Sequence, residues 1–444
     1  MYSAKIMQLL KNKSIRVGDE ISVSVKGKEY CGLLMPRPFG NEEILILKLK
    51  NGYNICVSAS GATIKLLKKA AGSPNTTANN KAQDKTCPGG ISILGCGGTI
   101  ASKIEYKTGA VYPAISSSEL RMAFPTIDRI VKISSRQLFT LFSDDMNATH
   151  WRILAEEIFK EIKSGADGIV VMHGTDTMSY TAAALSFMLR NLPVPVIFVG
   201  SQRSSDRPSS ENEMNMLNAV FSAQQDIGEV GVCMHANTND EYCYLHHGAR
   251  VRKMHTSRRD AFHSINSKPL AAVDYRSRRF DILSACKKRS REPLIKESRM
   301  CDNVALIYVH PNIKPSFIAS LSEYDGVVLI GTGLGHVPTN VFNDKTVTAI
   351  YPQIKALVDS GIPVVMSPQT ICGRLNMKVY TNGRFLLDAG VVGHNMDWTP
   401  ESAYVKLCWV LGQTRNMKKI AELMTTNLVG EISSRTLPDL EVPL

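Results

Sequence analysis

Two glycine-rich turns in the sequence carry threonines whose hydroxyl groups could do chemistry. Residues 97–99, Gly-Gly-Thr, and residues 173–176, His-Gly-Thr-Asp, each follow an apolar stretch typical of a strand. Glycine lets the backbone approach a ligand closely, and a threonine hydroxyl becomes a nucleophile once a base takes its proton. Backbone N–H groups of a helix that starts near Thr175 could stabilise an oxyanion. The two turns therefore indicate nucleophilic catalysis, with Thr99 and Thr175 as the candidate hydroxyls.

Each turn taken singly also has a simpler explanation. Gly-Gly-Thr after a strand is often a plain turn, and Thr or Asp before a helix is often an N-cap. Residues 95–99 could suggest a phosphate loop, but the order of a P-loop is absent and its lysine is misplaced. A third polar loop, Ser-Gln-Arg at 201–203, follows a further strand. Ligands of open α/β sheets bind at the carboxyl ends of the strands, so these loops could form one ligand site if they lie together at that edge.

The elements that must position these turns alternate from residue 91 onward. Apolar strands are predicted at 91–94, 168–172 and 194–199, and helical spacing of apolar residues is found at 151–163 and 177–190. This alternation is typical of βα units with a mostly parallel sheet.

A second α/β stretch and a separate N-terminal part complete the predicted organisation. Strands are expected at 305–309, 326–330 and 362–366, beyond a polar and basic connector. Short alternating strands and the turn Asn51-Gly52 in the first 69 residues predict a small β-barrel.

The predicted fold class is therefore α/β, with two α/β domains preceded by the barrel. The expected boundaries are 1–69 for the barrel, 70–90 for a linker rich in small polar residues, 91–285 for the large α/β domain and 300–430 for the small one.

Composition narrows the class of protein. The 444 residues are 44% hydrophobic and 21% charged, which is ordinary for a globular chain with a substantial core. The apolar runs are far shorter than the roughly 20 residues that cross a bilayer, and the first residues lack the features of a signal peptide. Ten cysteines without a Cys-x-x-Cys pair favour reduced thiols and a cytoplasmic location.

The basic residues cluster in two regions. The net charge is +12, the first 69 residues hold twelve Lys and Arg against five Asp and Glu, and a second basic region extends over 250–291. Such patches could hold RNA electrostatically. A solubilising surface is the simpler alternative.

The motif pair resembles a known family. GCGGTIAS at 95–102 together with MHGTDTM at 172–178 resembles the signature pair of the L-asparaginase and glutaminase family, and the similarity extends over roughly 91–430. Within that family, GSQRSSDRPSSE at 200–211 and the N-terminal barrel resemble the glutaminase subunits of archaeal glutamyl-tRNA(Gln) amidotransferases. Free asparaginases lack the barrel.

This resemblance implies roles for individual residues. Thr99 matches the first motif threonine, which is the nucleophile or its close assistant. Thr175 and Asp176 match the second motif, and Lys253 matches the family lysine that partners them. The arginines that flank Lys253 would favour its neutral, proton-accepting form through like-charge repulsion.

Further residues match the substrate-binding parts of the family. Ser143 and Asp144 correspond to the stretch that holds the amino-acid end of the substrate. Free asparaginases usually carry glutamine where Asp144 stands, so a strict preference for asparagine is not expected. Tyr112 lies in the loop where some members place a catalytic tyrosine, with simple packing as the alternative. No metal site is predicted, because the ten histidines show no ligand spacing.

The implied activity is hydrolysis of the side-chain amide of glutamine, with asparagine second. Similar proteins pass the ammonia to a companion protein, GatE, which activates Glu-tRNA(Gln) with ATP and Mg; no cofactor is expected in this chain. The implied assembly is a homodimer within a heterotetramer. Two alternatives stay open: a free cytoplasmic L-asparaginase or glutaminase, and a non-catalytic RNA-binding or scaffold protein.

Overall fold

A computed structural model describes most of the chain. The described residues are 2–35, 43–49, 54–69, 88–98, 102–104, 111–113, 127, 130–203 and 210–436. They contain three principal sheets, one N-terminal and antiparallel, one large and mixed, and one small and parallel.

The N-terminal sheet is a five-stranded antiparallel sheet with a helix packed on it. Its elements are α1 (Ala4–Asn12), β1 (Glu20–Val25), β2 (Lys28–Leu34), β3 (Ile44–Lys48), β4 (Asn54–Ser58) and β5 (Thr63–Lys68), and the strand order is β4-β3-β2-β1-β5. Alternate strand residues such as Ile21 and Val23 form its core. The sequence interpretation missed α1, whose Ile6 and Leu10 complete this core from the helix side.

The large sheet carries the candidate site. Its strands are β6 (Ile91–Gly97), β9 (Ile133–Leu141), β10 (Gly168–Met172), β12 (Val196–Val199), β13 (Val230–His235), β14 (Cys243–His247), β17 (Ala271–Asp274) and β18 (Arg279–Ile282). The order is β18-β17-β14-β13-β12-β10-β6-β9. The strands from β9 to β13 pair in parallel, whereas β14, β17 and β18 extend the sheet in antiparallel fashion.

Helices cover both faces of this sheet. They are α2 (Ala148–Lys163), α3 (Met178–Met188) and α4 (Asn212–Ser222). The shorter elements of this part of the chain are β7 (Ser102–Ile104), β8 (Val111–Pro113), the 3-10 turn η1 (Ser143–Asp145), β11 (Leu189–Arg190), β15 (Val251–Lys253), β16 (Phe262–Ser264) and β19 (Ile295–Lys296). One core contains α2 and α3, and a second core on the other face contains α4. Because β10 is covered on both sides, all five of its residues are buried.

The second α/β unit is a three-stranded parallel sheet with its own helices. Its elements are β20 (Val304–Tyr308), α5 (Pro315–Ser320), η2 (Leu321–Glu323), β21 (Gly326–Gly331), α6 (Tyr351–Asp359), β22 (Val364–Pro368), α7 (Thr381–Asp388), α8 (Pro400–Gln413) and α9 (Met417–Thr425). Helix α8 packs against α3, where Phe187 stacks on Trp409 at 6.1 Å between ring centroids. The two units therefore share one core.

The predicted fold class is confirmed, and proline explains two of the shifted boundaries. The strand expected at 194–199 begins at Val196, and the one expected at 362–366 begins at Val364. Pro195 and Pro363 lie just before them and have no N–H to donate to a ladder. The helix expected at 177–190 ends at Met188, because the next residues pair with β19.

None of the described helices combines the length and apolar composition needed to cross a membrane.

A buried ion pair fixes the segment after α9. Lys406 and Glu431 are both fully buried and lie 2.5 Å apart, and Lys406 Nζ also donates to the carbonyls of Met424 and Thr426. Burial lowers the pKa of the Lys406 amino group, while Glu431 opposes this shift. The pair thus ties the segment after α9 to α8.

We expect Glu431→Ala to lower the free energy of unfolding by about 3 kcal/mol, because it leaves a buried ammonium without its counter-charge. Urea unfolding followed by tryptophan fluorescence measures this, since Trp398 and Trp409 belong to the core beside Lys406. Asp359→Ala, which breaks the exposed pair with Lys355, is the control and should leave the transition unchanged. Equal behaviour of the two variants would contradict this role of the buried pair.

Candidate active site

The two motif turns lie side by side at the carboxyl edge of the large sheet. Strands β6 and β10 pair in parallel, with Gly95 opposite Met172. At the end of β6, Gly97 and Gly98 adopt φ values of 95° and 83°, a region that favours glycine. A Cβ at Gly98 would clash with the backbone of Gly174. Gly98 of the first motif therefore packs directly against the second motif. Thr99 lies outside the described residues.

The second motif meets Lys253 from a distant part of the chain. Lys253 Nζ donates hydrogen bonds to Thr175 Oγ1 at 2.9 Å and to Asp176 Oδ1 at 2.8 Å. Thr175 is buried, whereas the Asp176 side chain is 60% exposed. The structure thus brings together three of the predicted residues, in a cluster of one hydroxyl, one amine and one carboxylate. An amine beside a hydroxyl can exchange a proton with it once the amine is neutral.

The arginines that flank Lys253 are balanced by acidic partners. Arg250 pairs with Asp397 at 3.3 Å, and Arg252 pairs with Glu401 at 3.1 Å. The like-charge repulsion that the sequence suggested is therefore offset by two carboxylates. The sequence interpretation missed both acids, because they lie about 150 residues further along the chain.

The turn that contains Ser143 and Asp144 packs beside the second motif. Both belong to η1, where Ser143 is buried and Asp144 is exposed. Thr177 Oγ1 donates to the Ser143 carbonyl at 2.6 Å, and a Cβ at Gly174 would lie 2.8 Å from Ser143 Cβ. This geometry leaves the Asp144 carboxylate open to a ligand. Thr177 is a supporting residue that the sequence interpretation did not single out, although it stands in the same Thr-Asp-Thr stretch.

His173 is held as a neutral side chain behind the motif. Burial lowers its pKa to about 4, so it is uncharged near pH 7. Its Nδ1 lies 2.7 Å from the Gly174 carbonyl oxygen. A carbonyl only accepts, so Nδ1 carries the hydrogen. His173 therefore stabilises the turn that presents Thr175.

The remaining predicted loop and Tyr112 are only partly described. After Gly200, the backbone of Gln202 donates to the buried Glu211 carboxylate, so this loop is braced by its own helix start. A Cβ at Gly200 would lie 2.9 Å from Thr175 Cγ2, which makes Gly200 part of the packing behind Thr175. The backbone of Tyr112 lies in β8, and its side chain lies outside the described residues.

Within the described ranges, no group of three or more His, Cys, Asp and Glu side chains is arranged to hold a metal ion.

Three family descriptions match the chain in succession. "Asparaginase, N-terminal" matches residues 90–283, "Glutaminase/Asparaginase C-terminal domain" matches 303–424, and "GatD N-terminal domain" matches 15–67. Together they extend over the N-terminal sheet and both α/β units.

Curated relatives are similar over nearly the whole chain. The glutamyl-tRNA(Gln) amidotransferase protein GatD of Pyrococcus furiosus is 44% identical over 98% of this chain and 99% of the relative. The protein of the same name from Methanothermobacter thermautotrophicus is 44% identical over 98% of both chains. The one from Saccharolobus islandicus is 41% identical over 99% of this chain and 98% of its own.

Solved structures extend the similarity to the fold. The thermostable L-asparaginase of Thermococcus kodakarensis superposes with a TM-score of 0.69 at 29% identity, covering 78% of this chain and 99% of its own. L-asparaginase I of Vibrio cholerae gives a TM-score of 0.66 at 28% identity, covering 78% and 100%. The chain belongs to the GatD family of glutamyl-tRNA(Gln) amidotransferase proteins, an asparaginase-related family of amidohydrolases with an additional N-terminal domain.

Proposed function

We propose that this chain is the glutaminase component of a tRNA-dependent amidotransferase. It hydrolyses the side-chain amide of glutamine, and of asparagine second, to supply ammonia for the conversion of Glu-tRNA(Gln) to Gln-tRNA(Gln). The observation that carries the proposal is the position of Lys253 Nζ between Thr175 Oγ1 and Asp176 Oδ1. The names of the relatives direct that amidase chemistry toward Glu-tRNA(Gln).

The proposed reaction assigns each group one step. Thr99 attacks the amide carbon and forms an acyl-enzyme, and backbone donors near Thr175 stabilise the oxyanion. The proton of the attacking hydroxyl passes through Thr175, Lys253 and Asp176 to the leaving amine, which departs as ammonia. Water then attacks the ester and releases glutamate and the free hydroxyl.

In the proposal, the turn η1 beside the second motif positions the substrate. Ser143 and Asp144 bind the amino-acid end of the substrate, and the exposed Asp144 carboxylate pairs with its ammonium group. Tyr112 is proposed to close over the substrate from its loop.

The second half of the overall reaction belongs to a companion. We assign the activation of Glu-tRNA(Gln), with ATP and Mg, to the amidotransferase protein GatE, which receives the ammonia. This chain contributes no cofactor in the proposal. The assembly is a homodimer of this chain within a heterotetramer, in the cytoplasm.

A free L-asparaginase is the second candidate function. It is favoured by the two solved L-asparaginases, which match 78% of this chain over almost their full length. The N-terminal sheet, which lies outside the asparaginase matches, favours the amidotransferase.

We expect Thr175→Val to lower kcat for glutamine by about 10³-fold, because the proton of the reacting hydroxyl loses its path. Thr175→Ser keeps the hydroxyl and should retain most of the rate. Steady-state ammonia release measures both, with thermal melting as the check on folding. An unchanged rate in the valine variant would remove Thr175 from the proton path. No ammonia release by the parent chain, with or without GatE and Glu-tRNA(Gln), would instead favour a scaffold or RNA-binding protein.

We expect Asp144→Asn to raise KM for glutamine about tenfold while kcat changes less, because the ammonium contact is made equally in the ground and transition states. The matched control is Asp145→Asn, which removes the neighbouring exposed carboxylate of the same turn. Equal KM values for the two variants would remove Asp144 from the substrate site.

We expect the isolated chain to hydrolyse glutamine slowly and to gain at least about tenfold in rate when GatE and Glu-tRNA(Gln) are added, since binding of both would favour the competent state of the site. Ammonia release from glutamine and from asparagine, with each component left out in turn, measures this. Full activity of the isolated chain on asparagine would establish the free asparaginase instead.

A further inference from the structure

Strand β15 lies at the junction of the two α/β units, and its side chains alternate between them. Val251 is buried in the core that the units share, and Lys253, two residues on, reaches Thr175. Arg250 and Arg252 point the opposite way, toward the second unit. This is the period of two expected along an extended chain. Lys253 is thus presented to the first unit by a backbone whose other face is held by the second.

Arg250 is the more deeply buried of the two anchors. Its guanidinium donates to the Asp397 carbonyl at 3.1 Å, to the Gly430 carbonyl at 2.8 Å and to Ser433 Oγ at 2.7 Å, in addition to its ion pair with the Asp397 carboxylate. The Asp397 carbonyl also accepts from Asn266 Nδ2 at 2.7 Å. Asp397 therefore contacts the chain on both sides of the β15–β16 hairpin.

Arg252 is anchored by the first turn of α8. Its Nη1 lies 3.1 and 3.2 Å from the two carboxylate oxygens of Glu401. The next residue, Ser402, donates from Oγ to the Ala249 carbonyl at 2.5 Å. Thr399 caps this helix by accepting from Ser402 N, so the acceptors are fixed by the helix start itself. Two successive residues of α8 thus bind the chain just before Lys253.

These contacts matter because lysine is a flexible side chain. Its amine is useful to Thr175 only within hydrogen-bond reach, and a displacement of about 1 Å at a reacting group can cost a hundredfold in rate. The turn before α3 provides two acceptors for the Lys253 amine, Thr175 Oγ1 and Asp176 Oδ1. Its backbone is held by the pairing of β15 with β16 and by the contacts of the two arginines.

We propose that Asp397 and Glu401 are positioning residues, which hold β15 through Arg250 and Arg252 so that the Lys253 amine meets Thr175 and Asp176. This inference rests on the proposed amidase function of that site. It makes the second α/β unit a part of the catalytic geometry, although none of the contacts described from Asp397 or Glu401 reaches Thr175, Asp176 or Lys253 itself.

Glu401→Gln is the decisive variant, because the amide keeps the shape of the buried carboxylate and the Arg252 side chain, 26% exposed, can still reach water. We expect kcat for glutamine or asparagine to fall about tenfold while KM stays within about twofold. The lysine is displaced, but the proposed substrate-binding residues Ser143 and Asp144 are unaffected. Arg252→Met should give the same split and serves as the second variant if Glu401→Gln melts early.

Glu297→Gln is the matched control. It breaks another ion pair, Arg190–Glu297 at 2.6 Å. Arg190 follows the C-terminal end of α3, whereas Thr175 precedes its N-terminal end. We expect its kcat to equal that of the unchanged chain. A similar loss in this variant would mean that loosening the chain anywhere lowers the rate, and would overturn the assignment.

A double-mutant cycle with Lys253→Met separates positioning from general structural support. If Glu401 acts through Lys253, then Glu401→Gln costs nothing further once the lysine is gone. A further tenfold loss in that background, or an unchanged kcat in the single variant, would overturn the proposal. If the parent protein, without substitutions, shows no amidase activity on glutamine or asparagine, with or without GatE, the proposed function is overturned instead.

Discussion

The site depends on one contact, the bridge that Lys253 Nζ makes between Thr175 and Asp176. Its three members come from two places, the turn after β10 and the end of β15. The turn is fixed by parallel pairing and by glycines that touch neighbouring backbone. The lysine is fixed by a short hairpin whose arginines bind the second α/β unit. The residues that hold the cluster in place therefore come from both α/β units.

Much of this arrangement follows from the sequence, because its causes are local. The run 168–172 is apolar throughout and becomes a fully buried strand, and the glycine-rich turns lie where the strands end. Motif resemblance then identified Lys253, which no local pattern separates from the other basic residues around it. What the sequence could not supply are the partners of the arginines, since ion pairs between residues about 150 positions apart leave no periodic signal.

The same limit applies to the basic region itself. Counting charges along 250–291 suggested a surface that could hold RNA. In the structure, Arg250 is buried against Asp397, and Arg289 donates to the carbonyls of Gln225 and Ala223. Several of these charges therefore serve internal contacts. The net charge of a segment overstates the positive potential at its surface, because it also counts basic side chains that bind carboxylates or carbonyls inside the protein.

The contact between Gly98 and Gly174 has a consequence for how such a site can vary. A Cβ at Gly98 would overlap the Gly174 backbone, and a Cβ at Gly174 would overlap the Ser143 side chain, so neither substitution makes room for the other. Even a single β-carbon is therefore not accommodated at these two positions. Exposed positions at the edge of these turns, such as Asp144, are free of this restriction and form the rim of the candidate site. A mutational library aimed at new amides would gain most by sampling that rim and leaving the paired glycines intact.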